Sequence, residues 1–211
     1  MLKEFEKRLL SSFVLIPIAF FFIIQGSVFF IFFLGLFFLA TSYEWIKMTK
    51  TNVMKIFGVI FLFFSFYCAF NIREYYGLNV FLFIIVVCIF TDIGGYVFGK
   101  VFKGPKLTQI SPNKTYAGVI GGFLLSLISG LVFIKYFWIS ESYRVNDDQL
   151  ILLLYILSIS LISQIGDLII SYFKRKAKLK DTGNILPGHG GLLDRIDGLI
   201  FVIPIIYVSI I

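Results

Sequence analysis

Four aspartates stand where carboxylates are costly. Asp92 and Asp167 lie near the ends of two long apolar runs, while Asp194 and Asp197 open a third, three residues apart and so on one helix face. Acids inside membrane segments are rare and by default functional. Like charges held together in low dielectric repel, and a divalent cation is the usual way to make such a cluster stable. Oxygen ligands alone favour Mg²⁺ or another hard cation, whereas zinc would want His or Cys. Any one of these aspartates could instead pair with a Lys or Arg or cap a helix, a reading that fits the set of four less well.

Beside them runs the most basic stretch of the chain, Lys174 to Lys180. It is followed by Leu186-Pro187-Gly188-His189-Gly190-Gly191, which holds the single histidine. Glycines let a backbone approach a ligand closely, and Gly-rich turns form anion-binding nests. Alone, the basic run is a positive-inside anchor and the histidine a structural loop residue. Joined to an acidic cluster, they describe a phosphate site with metal, and so phosphoryl or nucleotidyl transfer. Two look-alikes are set aside. Gly94 to Lys100 reads as a P-loop, but Val101 replaces the Ser or Thr that would hold Mg²⁺ and no strand precedes it. Asn113-Lys114-Thr115 fits a glycosylation pattern but falls on the cytoplasmic side of the topology below.

The elements that must position these residues are membrane helices. Of 211 residues, 59% are apolar and only 15% charged, with 27 Phe, against roughly 25% charged in soluble domains. A soluble domain, a disordered chain and a disulfide scaffold are thereby excluded. Cys68 and Cys88 each sit alone in an apolar run and read as small buried hydrophobes. Seven apolar segments are expected, at 11–25, 27–46, 53–71, 78–99, 116–138, 150–173 and 196–211. The first two, parted by Gln25, Gly26 and Ser27, are taken as two short helices. After Ile24 no small-residue cleavage site appears, so the N-terminal segment is expected to stay attached. With an N-in, C-out start, all but Arg73, Lys135 and Arg144 of the 19 Lys and Arg fall on the cytoplasmic side, which supports this count and orientation. The predicted fold is all-α, one polytopic bundle over 1–211. Its net charge of +7 faces anionic headgroups and nucleotides, and nucleic acid is not needed to explain it. Asp92 and Asp167 then share one depth, ~10 Å inside the cytoplasmic face.

The run Ser171-Tyr172-Phe173-Lys174-Arg175, then Lys180-Asp181-Thr182-Gly183, then Leu186 through Asp197, closely resembles the signature of the phosphatidate cytidylyltransferases. Gly166-Asp167-Leu168, Asp92 with Tyr96, Gly99 and Lys100, Ser111 to Thr115, and Glu44-Trp45 are similar to that family as well. Departures are Asn113, Tyr116 and Ala117, where the family commonly has Lys, Trp and Glu, and Gly198 for the more usual Ser. The missing Glu at Ala117 leaves room for altered activity. The chain is shorter than many members, so fewer N-terminal helices are expected.

The resemblance implies the reaction CTP + phosphatidate to CDP-diacylglycerol + pyrophosphate, in a bacterial inner membrane, with the active site toward the cytoplasm and a homodimer as the family's form. Asp167, Asp194 and Asp197 would hold magnesium, one cation or two. Together with Lys180 and Asp181 they form the expected catalytic set. Asp92, Lys114, Lys174, Arg175, Gly188, His189, Gly190, Gly191 and Arg195 are the expected substrate contacts. Three other functions fit parts of the pattern: a CTP-dependent lipid kinase, an ion-coupled transporter relaying a cation through Asp92 and Asp167, and a scaffold without activity. Acyl-chain preference and CTP against dCTP are not readable from the sequence.

Overall fold

A computed structural model of the chain describes residues 4–108, 110–137, 149–186, 188 and 190–210, with side chains from 13 onward except 14. The elements are α1 (Glu4–Gln25), α2 (Ser27–Met48), α3 (Asn52–Asn71) running into a π-helical turn at Ile72–Tyr76, α4 (Leu78–Phe102), α5 (Tyr116–Phe137), α6 (Gln149–Lys176), α7 (Leu193–Ile196) and α8 (Leu199–Ile210). No strand occurs among the described residues, only isolated bridges at Lys106 with Thr115 and Leu186 with Gly190.

The all-α expectation holds, and α2 to α6, with the π turn counted into α3, are long and apolar enough to cross a bilayer. The outer two expected segments coincide with shorter apolar stretches, Leu15–Gln25 and Leu199–Ile210. The segment expected at 196–211 is broken at its start, because Asp197 and Gly198 separate α7 from α8. Large side chains such as Phe57, Phe63, Ile120 and Leu154 stay exposed on the outer faces, as they must where the solvent is hydrocarbon.

Residues 11–46 form two helices that fold back on each other. The Phe22 ring stacks on Phe33 at 5.5 Å, a contact that eleven residues of continuous helix, ~16 Å long, could not make. Gly26 turns the chain with φ of 67°, and the π turn staples that corner. Arg73 Nε and Nη2 donate to the carbonyls of Ile23 and Ile24 at 2.7 and 2.9 Å. The Glu74 carboxylate accepts from the Ser27 amide and hydroxyl, both at 3.3 Å. A cation thus closes the end of α1 and an anion the start of α2, each opposing the local helix dipole. Arg73→Ala is expected to cost about 2 kcal/mol, a fall of ~4–8 °C in the melting midpoint of the detergent-solubilised protein. An unchanged midpoint would mean that water caps this corner equally well.

α4 and α5 make the closest helix pair. Their backbones touch: a Cβ on Gly118 would stand 2.7 Å from the Gly95 carbonyl, and one on Gly94 would overlap the carbonyl of Gly121. This approach lets the polar loop after α4 fold over the top of α5 and meet α6. One apolar core joins α1 to α6 and α8 through residues such as Phe30, Ile84, Ile156 and Val202. A second, around Trp45, Leu62, Ile170, Leu193 and Ile200, carries the elements beneath the signature residues. Cys68 and Cys88 are buried, unpaired thiols, as expected.

Candidate active site

Between α4, α5, α6 and the loop before α5 lies a cavity of about 250 Å³. Asp92 and Gly95 of α4, Lys114 and Thr115 of the loop, and Gln164 and Asp167 of α6 line it. The expected common level of Asp92 and Asp167 is therefore realised: both reach one cavity. α4 runs on to Phe102 and α6 to Lys176, which puts the two carboxylates roughly 14–15 Å of helix from those ends. The loop is tied by Leu107 N–H to the Lys114 carbonyl at 2.8 Å and Lys114 N–H to the Ser111 carbonyl at 3.0 Å. That hairpin aims Lys114 inward, where its ammonium pairs with the Asp167 carboxylate. The cavity continues into a polar thread, in which the Gln164 amide donates to Ser160 Oγ at 3.4 Å and Ser160 meets Thr91 Oγ1 at 2.9 Å.

Asp197, buried at 8% exposure, comes to the same place from below, and its carboxyl is a hydrogen-bonding partner of the Asp167 carboxyl. Two carboxyls in that relation need a proton or a cation between them. Asp194 and Asp197 do share a face toward α6, as their spacing requires, but they meet it two turns apart. Asp197 faces Asp167, whereas Asp194 Oδ1 accepts from the Lys174 ammonium at 2.7 Å. Asp194 Oδ2 is taken by Thr182 N–H at 2.8 Å, Thr182 Oγ1 at 3.0 Å and Gly191 N–H at 3.2 Å. Both oxygens of Asp194 thus have protein donors. Among the described residues, no three His, Cys, Asp or Glu side chains converge as metal ligands. The structure brings Asp92 and Asp167 to one cavity and Asp197 against Asp167; it sets Asp194 apart as an anchor of the signature loop.

That loop has a second anchor, which the sequence reading missed. Glu44 of α2 is 1% exposed. Its carboxylate accepts from Leu192 N–H at 2.9 Å, Leu193 N–H at 2.8 Å and Thr182 Oγ1 at 3.0 Å. The Thr182 hydroxyl, with one proton, lies between the carboxylates of Glu44 and Asp194 and serves one at a time. The carboxylate reaches these donors only because glycines leave room. A Cβ on Gly191 would stand 2.8 Å from Glu44 Oε2, and one on Gly183 2.9 Å from Glu44 Cδ. The signal was present, since Glu44 is a carboxylate inside an apolar segment like Asp92 and Asp167.

The basic run divides by role. Lys174 is buried against Asp194, and Arg175 holds the carbonyls of Ile110 and Leu179 at 3.4 and 3.1 Å, tying the α5 loop to the end of α6. Lys180, Asp181 and Arg195 are exposed around the loop, with Asp181 beside Gly190. Gly188 and Gly190 have φ of 77° and 86°, the tight turn expected from the glycines; His189 and Pro187 lie outside the described residues. Gly198 also has a physical reason, since a Cβ there would overlap Ser163 Oγ on α6.

The donor chemistry fits a hard divalent cation at Asp167 and Asp197, with Asp92 close by. Mg²⁺ keeps several waters and is commonly bound through one or two carboxylates and substrate phosphates, so three converging protein ligands are not required.

A family model described as "Cytidylyltransferase family" matches residues 52–211. Among curated proteins, the phosphatidate cytidylyltransferase of Staphylococcus haemolyticus is 43% identical over 136 residues, which is 64% of this chain and 50% of that one. The phosphatidate cytidylyltransferases of Staphylococcus aureus strain COL and Staphylococcus epidermidis are 43% and 40% identical over the same lengths. The chain thus spans about half the length of the curated relatives it matches.

Proposed function

The chain belongs to the cytidylyltransferase family, and from that premise we propose that it transfers the cytidylyl group of CTP to phosphatidate, giving CDP-diacylglycerol and pyrophosphate. The observation that carries this reading is the cavity in which Lys114 pairs with Asp167 while Asp197 abuts the same carboxyl. Three helices and a polar loop line it, and the signature loop has its backbone fixed by Glu44 and Asp194.

In the reaction an oxygen of the lipid phosphate forms a bond to the α-phosphorus of CTP. The bond from that phosphorus to the oxygen bridging toward the β-phosphate breaks, and its electron pair leaves with pyrophosphate. Phosphatidate is already ionised near neutral pH, so no general base is needed. Lys114 can turn from Asp167 to an arriving phosphate, lowering the charge on the attacking lipid. Lys180 and Arg195, exposed near the loop, are suited to the triphosphate, with His189 to orient it. Asp92, which lines the same cavity, is assigned to the substrate side. Asp167 and Asp197 would hold magnesium, whose charge stabilises the crowded phosphate oxygens as they pass through the transition state.

The same reading has the N-terminus and this cavity toward the cytoplasm of a bacterial inner membrane, where CTP is found. This is supported by the distribution of Lys and Arg. Purified full chain incubated with CTP, phosphatidate and Mg²⁺ is expected to release pyrophosphate and form CDP-diacylglycerol in equal amounts, and to stop in EDTA. Release of CDP with a newly phosphorylated lipid would overturn the reading in favour of a kinase. Folded protein without turnover would overturn it altogether.

A further inference from the structure

A second concavity lies away from the cavity of Asp92 and Asp167, where the turn between α2 and α3 meets the end of α6. It measures about 160 Å³, and its walls are Met48, Met54, Phe173 and Ala177, with Lys50 and Lys176 also lining it. Both lysines are exposed, and no carboxylate lines the groove. The proposed transfer uses none of these residues.

We propose that this groove binds one phospholipid with an anionic headgroup, its acyl chain against Met48, Met54 and Phe173 and its phosphate between Lys50 and Lys176. The groove opens at the ends of spanning helices, the level of the headgroups, where basic pockets between membrane helices take anionic lipids. Apolar walls together with two exposed lysines match a chain joined to a phosphate, and the groove lacks the carboxylate a zwitterionic headgroup's cation would need. The lysine stems can lie along the apolar wall while their charges reach the phosphate.

The site is joined to the signature loop through its walls. Trp45 Nε1 donates to the Met54 carbonyl at 2.9 Å, and its ring meets Phe173 edge to face at 4.9 Å. Glu44 and Lys174, the chain neighbours of Trp45 and Phe173, are the two side chains that reach from α2 and α6 to hold that loop. A lipid seated in the groove braces both.

Trp45 is also the reporter, because Trp138 is the only other tryptophan and can be replaced by Phe. The full chain carrying Trp138→Phe would be reconstituted in phosphatidylcholine vesicles, and Trp45 fluorescence followed as brominated lipid is added. Brominated phosphatidylglycerol, a phosphodiester and so not the proposed substrate, should quench with a preference on the order of tenfold over brominated phosphatidylcholine. Lys50→Glu with Lys176→Glu should abolish that preference, and Lys50→Gln with Lys176→Gln should reduce it. Millimolar inorganic phosphate should leave quenching unchanged. Equal quenching by the two lipids, a preference that survives both pairs of substitutions, or displacement by free phosphate would overturn the proposal. None of these outcomes depends on turnover, so failure here and failure of the proposed reaction are separately visible.

Discussion

Asp167→Asn is expected to lower kcat/KM for the proposed transfer by about 10²–10³-fold, and Asp197→Asn by a similar factor. The substitution keeps the size of the side chain but removes the charge that pairs with Lys114 and abuts Asp197. Without added cation, Asp197→Asn should melt close to the native chain, because it relieves the crowding of two carboxyls, whereas Asp167→Asn also gives up its ion pair with Lys114 and should melt somewhat lower. The sharper readout is the response to magnesium. A cation that binds only the folded state at a hundredfold excess over its Kd adds about 2.7 kcal/mol. The native chain should therefore melt higher in Mg²⁺, and both variants should lose that gain.

Asp194→Asn serves as the contrast within the same experiment. Its carboxylate answers Lys174, Thr182 and Gly191, so the variant should melt lower with or without the cation while keeping the Mg²⁺ response. The opposite pattern, a lost response in Asp194→Asn and a kept one in Asp197→Asn, would return the cation to the set read from the sequence.

That contrast marks where the sequence stopped being informative. The run of apolar segments foretold an all-α bundle, of which five helices are long enough to cross a bilayer, and the near-equal distances of Asp92 and Asp167 from their segment ends foretold a common level, because helical rise converts residue counts into depth. The same logic put Asp194 and Asp197 on one face. It could not give the register of α7 against α6, and two turns of register decide whether a carboxylate meets Lys174 or Asp167. The place of Glu44 in an apolar segment was a legible signal, but what it holds was not. Its partners lie 138 to 149 residues away, and two of them are backbone amides, which leave no mark on composition. The groove beside Lys50 and Lys176 likewise depends on how the α2–α3 turn meets the end of α6, a contact no local pattern encodes.

Glu44→Gln should have the second large effect, through the loop and with no direct part in the chemistry. The carboxylate presents acceptors to Leu192 N–H, Leu193 N–H and Thr182 Oγ1. An amide at that position must turn its N–H₂ toward an N–H donor. Leaving one buried donor unmade costs about 1–3 kcal/mol, and no other acceptor lies at hand for these amides in the bonds described. The expected result is a lower melting midpoint and a roughly 10²-fold loss of kcat, the scale of penalty for a loop displaced by ~1 Å from its working position. The Mg²⁺ response through Asp167 and Asp197 should persist, which separates positioning from cation binding. Thr182→Val should be less severe alone, because Asp194 keeps two amide donors and the Lys174 ammonium. Combined with Glu44→Gln it should add less than the sum of the two, since both substitutions break the same contact. Full additivity, or a Glu44→Gln protein with native kcat, would mean that the loop holds its shape through Asp194 alone and that Glu44 is a passenger in the packing of α2.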